Sequence, residues 1–107
     1  MRMVQEYKSE IITLCERHNV DELYVFGSVL TNSFSKDSDI DFLVKFGEVN
    51  LLEYFDNYMD FKESLETLLN RNIDLIEIQT LKNPILMRSV DNKKILLYGR
   101  KDSKVVV

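Results

Sequence analysis

Apolar residues recur along this chain with two different periods, and the changes of period mark out its elements. Val4, Tyr7, Ile11, Leu14, Cys15 and His18 fall at three- and four-residue intervals, which predicts an amphipathic helix over residues 3–18, ended by Asn19. Leu23-Tyr24-Val25-Phe26 is β-branched and aromatic and runs into Gly27-Ser28, the pattern of a short buried strand opening into a tight turn. Residues 31–38 are polar enough to be a loop. Ile40 to Phe46 reads as a strand that is apolar on both faces after Asp41, which predicts a central strand of a covered sheet. Asn50 can cap a long helix whose sheet-facing stripe is Leu51, Tyr54, Phe55, Tyr58, Phe61, Leu65, Leu68 and Leu69. Ile73 to Ile78 predicts a third strand, Asn83-Pro84 opens a short helix to about Val90, and Lys94 to Tyr98 predicts a fourth strand. Helices and strands in this order predict an α+β (mixed α/β) fold, a mixed sheet of about four strands packed by helices. Residues 1–100 read as one domain and 101–107 as a short tail, with Arg100, Lys101 and Lys104 solvated.

Composition narrows the function classes. The net charge of -4 offers no global attraction to DNA or RNA, which bind largely through Lys and Arg on phosphates, so strong nucleic-acid binding is not expected. No apolar run approaches the roughly 20 residues that cross a bilayer, and the first residues lack a signal-peptide core, so a cytoplasmic location without membrane attachment is the expectation. The lone Cys15, inside an apolar helical pattern, reads as a buried thiol. His18, the only histidine, stands at a helix end and reads as a cap rather than a metal ligand, lacking a second histidine to share a site. The aromatic positions of the long helix fit a packed face, with a partner surface as the other reading.

Carboxylates carry the candidate chemistry. Asp39 and Asp41 are two positions apart at the start of a strand, so their side chains point to the same face. Two anions side by side repel, and the pair carries a local cost unless a cation lies between them. Hard oxygen ligands of this kind suit Mg²⁺, which takes one or two carboxylates together with water and substrate phosphates. Standing alone, the pair could equally be a turn cap and a wet sheet edge. Gly27-Ser28 at the end of the preceding strand changes this, because glycine permits close backbone approach and the following N–H groups can hold a phosphate. A third carboxylate would let two metals be held and a hydroxyl deprotonated, and if the two strands are neighbours Asp74, at the entry of its strand, is the better candidate than Glu77 on the opposite face.

Gly27-Ser28, a loop of about ten residues, Ser38-Asp39-Ile40-Asp41, and Asp74 on a later strand together resemble the minimal nucleotidyltransferases, small relatives of the DNA polymerase β superfamily. The resemblance covers nearly the whole chain. It implies the nucleotidyltransferase fold and a Mg²⁺-dependent enzyme. Asp39, Asp41 and Asp74 would be catalytic and metal-binding, with two ions expected, and Gly27, Ser28 and Ser38 would bind the nucleotide. ATP would be the substrate, with AMP passing to an acceptor hydroxyl. Members of the family are often encoded beside a HEPN-domain ribonuclease and act as its antitoxin, so the resemblance implies adenylylation of a tyrosine on such a HEPN toxin partner. Two other functions are compatible with it: a catalytically weak module that neutralises a partner by binding alone, and a small-molecule nucleotidyltransferase of the aminoglycoside type. The chain departs from many relatives at Val29-Leu30-Thr31-Asn32, where they carry an Arg and a Gly; the next cations are Lys36 and Lys45. Arg88 on the late helix is a further candidate for a phosphate, and a homo-oligomer remains open.

Overall fold

The computed structural model describes residues 2–26, 39–78 and 94–100. Their order is α1 (Arg2–Glu6), α2 (Lys8–Arg17), β1 (Val20–Phe26), β2 (Ile40–Phe46), α3 (Leu51–Leu69), β3 (Ile73–Glu77) and β4 (Ile95–Gly99). The strands form one mixed sheet in the order β3-β2-β1-β4. β1 runs antiparallel to both β2 and β4, whereas β2 and β3 are parallel and joined through α3. The four-stranded mixed sheet with its helices matches the expected fold class. The helix expected at 83–90 lies outside the described residues, as do Gly27, Ser28, Ser38 and Arg88.

One face of the sheet holds the core. Ile40, Phe42, Val44 and Phe46 alternate along β2 and are buried, and Phe61, Leu65 and Leu69 of α3 with Ile11 and Cys15 of α2 pack in the same cluster. Phe46 gathers the aromatic side chains of α3, with ring centroids 5.6 Å from Tyr54, 6.4 Å from Tyr58 and 6.0 Å from Phe61. Asn50 caps α3 as expected, its side-chain oxygen accepting from the Leu52 N–H at 3.0 Å. Asn70 ends the helix in the left-handed region at φ 53°, a conformation that asparagine tolerates better than most residues. Glu66 in the last turns of α3 accepts from Lys62 and from the Ile73 N–H at 3.2 Å, which ties the first residue of β3 to the helix before it.

Several expectations are corrected. The first helix is divided at Tyr7, which is 36% exposed, so it does not belong to the buried stripe that Val4, Ile11 and Cys15 form. β1 begins at Val20, three residues before the expected start. The charged Asp21 and Glu22 hide this in the sequence, but an irregularity between Val20 and Glu22 lets Val20 pair with Phe46 and remain buried. Arg100 is not a solvated tail residue. Pairing of Gly99 with Glu22 brings it to the start of β1, where it meets Asp21 at 3.3 Å and donates to Asn19 at 2.6 Å. Leu51 and Phe55, expected on the sheet-facing stripe of α3, are 86% and 69% exposed, while Tyr54 and Tyr58 beside them pack on the core.

His18 is a buried cap with more than a local role. Its Nδ1 meets the Leu14 carbonyl at 2.7 Å and its Nε2 the Asp60 carboxylate at 2.6 Å, while its ring packs on Phe61 at 5.3 Å. It therefore closes α2 and fastens it to α3. Cys15 is buried as expected, and burial pushes its thiol up to about 12, with the charge of Glu16 adding to the effect. It is inert as a nucleophile at neutral pH. Phe61 touches β2, α2 and the His18 ring at once, so Phe61→Ala is expected to lower stability by about 3–5 kcal/mol, read from the shift of the urea unfolding midpoint.

Candidate active site

Strand parity sends two kinds of side chain to opposite faces of β2. Ile40, Phe42 and Val44 enter the core, so Asp41 lies on the other face, and Asp39, two residues earlier, shares that side. On this face Leu43 is only 1% exposed, lying by register between Tyr24 of β1 and Ile76 of β3. The parallel pairing of β2 with β3 sets Asp74 directly beside Asp41. β1, running the other way, sets its last residue, Phe26, against Asp41 on the opposite side. Gly27 and Ser28 follow Phe26 in the chain, although they lie outside the described residues. Asp39, Asp41 and Asp74 thus come from two strands to one end of the sheet, while Glu77 pairs with Val44 and takes the helix side.

The carboxylates are electrostatically coupled. Asp41 is partly buried, and its carboxyl is held above the ordinary carboxylate range by that burial first, then by the charges of Asp74 and Asp39 and by a hydrogen bond with Asp74. Asp39 and Asp74 are exposed. Among the described residues no cation is paired with any of the three. Nor do three His, Cys, Asp or Glu side chains among the described residues converge closely enough to hold a metal by themselves. A close couple with a third carboxylate nearby is nevertheless the donor set that Mg²⁺ accepts, since this ion keeps several waters and takes the rest of its shell from phosphates.

The structure adds one residue that sequence reasoning did not place. Lys94 stands one position beyond the Val25–Ile95 pair, so it is level with Phe26, Asp41 and Asp74 across the sheet. Its ammonium lies 4.2 Å from the centroid of the Tyr24 ring, which puts it on the carboxylate face. Only the strand order reveals this, because Lys94 is over fifty positions from Asp41 in the chain. A groove of about 610 Å³ between α2 and α3, lined by Glu10, Arg17, Asp60 and Glu63 among others, shares no residue with this constellation.

A negative cluster with a raised carboxyl is destabilising on its own, and the sign of its pH dependence follows. With the folded-state value of Asp41 above its unfolded value, the contribution to stability is fully present below the unfolded value and is lost as pH rises through the raised one. Asp41→Asn keeps a donor for Asp74 without the charge. The metal-free variant is expected to melt a few degrees above the parent at neutral pH, and the gap should close as the pH is lowered into the carboxylate range. Thermal melts across that range check both.

Comparison with known proteins gives a consistent set of relatives. The family described as Polymerase beta, Nucleotidyltransferase matches residues 9–103. The chain is 40% identical over 72 residues to the protein adenylyltransferase MntA of Thermococcus cleftensis, a match covering 67% of this chain and 70% of that protein. A solved structure described as a candidate minimal nucleotidyltransferase superposes with a TM-score of 0.73 at 31% identity, covering 88% of this chain and 92% of the other. A further similar fold occurs in a tri-AMPylated HEPN toxin of Shewanella oneidensis in complex with MNT antitoxin. There the TM-score is 0.62 at 19% identity, over 94% of this chain and 76% of that one.

Proposed function

The chain belongs to the polymerase β-type nucleotidyltransferase family, and from that membership we propose that it transfers AMP from ATP to a tyrosine hydroxyl of a HEPN-domain toxin partner, acting as its antitoxin in the cytoplasm. The single observation that carries this reading is the Asp41–Asp74 pairing with Asp39 on the same face. The naming of the Thermococcus cleftensis relative as a protein adenylyltransferase and the AMPylated toxin of the Shewanella oneidensis complex supply the donor and the class of acceptor.

In the reaction the acceptor oxygen attacks the α-phosphorus, a new P–O bond forms, and the bond to the bridging oxygen breaks so that pyrophosphate leaves. Asp39, Asp41 and Asp74 would hold Mg²⁺, two ions if the site fills as the family pattern implies. Bound Mg²⁺ supplies charge stabilisation to the attacking and leaving oxygens. Asp74, the exposed member of the couple, would take the proton of the acceptor hydroxyl on its carboxylate. Gly27, Ser28 and Ser38 would orient the phosphates through N–H and O–H donors. The loop after Ser28 lacks the Arg common in relatives, and Lys94, at the same level of the sheet on the same face, supplies a cation from β4 in its place. Cationic help in this position lowers the barrier to bringing a polyanion beside three carboxylates.

Incubation with ATP, Mg²⁺ and the HEPN-domain protein, followed by intact mass, tests the proposal. The partner is expected to gain the mass of one or more AMP groups, and an unshifted partner counts against it. Asp39→Asn and Asp41→Asn should each slow transfer by about 10³-fold, the effect of removing several kcal/mol of transition-state charge stabilisation. A partner still neutralised by these variants would favour inhibition by binding alone. Lys94→Gln is expected to raise KM for ATP by about three- to tenfold, on the order of 1 kcal/mol, with Lys94→Arg restoring it.

A further inference from the structure

The start of α3 leaves a set of apolar side chains in water that the fold does not use. Leu51 is 86% exposed, Leu52 91% and Phe55 69%. They lie within one helical turn of each other, so they form one patch, on the order of 400 Å² and in the range of the largest, often functional, patch of a monomer. The patch runs through Phe55 into a groove of about 400 Å³ between α3 and the edge strand β3, lined by Tyr54, Phe55, Tyr58, Leu75, Ile76 and Glu77. An uncovered apolar patch that runs on into an open groove is the sign of a missing occupant.

The charge around the patch selects that occupant. Residues 47–60 contain Glu48, Glu53, Asp56 and Asp60 and no Lys or Arg. Glu48, Glu53 and Asp56 are exposed, and Asp60 is engaged by His18. A second copy docking by the same face would set these acids against their own counterparts, and an anionic lipid surface would repel them. We propose that Leu51, Leu52, Phe55 and the α3–β3 groove dock a protein partner presenting an apolar ridge flanked by Lys or Arg. Its identification with the HEPN-domain protein rests on the function proposed above. Leu75 directly follows Asp74, so a partner lying along the β3 edge passes within about 10 Å of the carboxylates. The patch stands at the end of α3 away from Asp74, so the docked protein reaches the carboxylates by extending along that edge.

The test is binding of the HEPN-domain protein without ATP, by titration calorimetry, to the parent chain and to two double variants. Leu52→Ser with Phe55→Ser should weaken the complex at least tenfold while leaving the melting temperature of the free chain unchanged, because both side chains are exposed. Glu53→Lys with Asp56→Lys should weaken it at least fivefold at low salt. Parent-like affinity in either variant overturns the proposal. So does a parent chain that sediments as a dimer and becomes a monomer on Leu52→Ser with Phe55→Ser, because the face would then belong to a second copy. A partner that binds through this face but gains no AMP in the presence of ATP and Mg²⁺ would overturn the adenylylation reading and leave the docking surface standing.

Discussion

The register of β2 is the constraint on which the rest of this molecule depends. Period-two alternation gives the strand one face of Ile40, Phe42, Val44 and Phe46, and the helices α2 and α3 are held against that face. The same alternation places Asp41 on the other side. A slip of one residue would turn Asp41 under α3 and present Phe42 to the carboxylate face, so the core and the candidate site cannot be misregistered independently. Burial of four large side chains fixes the position of one carboxylate. Parallel pairing then passes that position to Asp74, and antiparallel pairing passes it to Phe26.

The electrostatics of the site work against the fold that positions it. Nothing among the described residues neutralises Asp39, Asp41 and Asp74, and the carboxyl of Asp41 is raised by its burial first and by the charges of Asp74 and Asp39 after it. A domain selected only for stability would replace one of these acids with a neutral residue, as proteins generally gain stability by relieving functional sites. In the proposed reaction the charge becomes useful when a cation and a polyanionic substrate arrive together. Lys94 reaches the same level from β4 and rests on the Tyr24 ring, whose hydroxyl donates to Glu22 at 2.9 Å.

Much of this was legible in the sequence because local rules and the tertiary outcome agree. Asn50 announces α3, the alternation of β2 announces its core face, and Asp39 with Asp41 announces a shared face by parity alone. The neighbouring position of Asp74 was conditional on strand order, which no local pattern encodes. Lys94 and Arg100 were missed for the same reason, since each acquires its role from the pairing of β4 with β1. Tyr7, Leu51 and Phe55 were misassigned because helical spacing identifies an apolar stripe but not where the surface beneath it ends. His18 was read as a cap, and the interaction with Asp60 that joins two helices could not be seen from α2 alone.

The two ends of α3 serve different needs, which explains why its apolar stripe is longer than its buried face. Toward its C-terminus, Phe61, Leu65 and Leu69 fill the core, and Glu66 anchors Ile73, immediately before Asp74. Toward its N-terminus Tyr54 and Tyr58 still pack on the core, while Leu51 and Phe55 beside them remain exposed. Helix propensity does not require this, because polar residues would sustain the first turn equally well and without the solvation cost. Among the described residues the carboxylate end offers little shape with which to recognise an acceptor, since Asp39 and Asp74 are exposed and the ion they suit would coordinate any phosphate. Selectivity for a macromolecular acceptor is therefore more readily built into a surface away from the chemistry, and a single helix reaching from that surface to the strand of Asp74 connects the two rigidly.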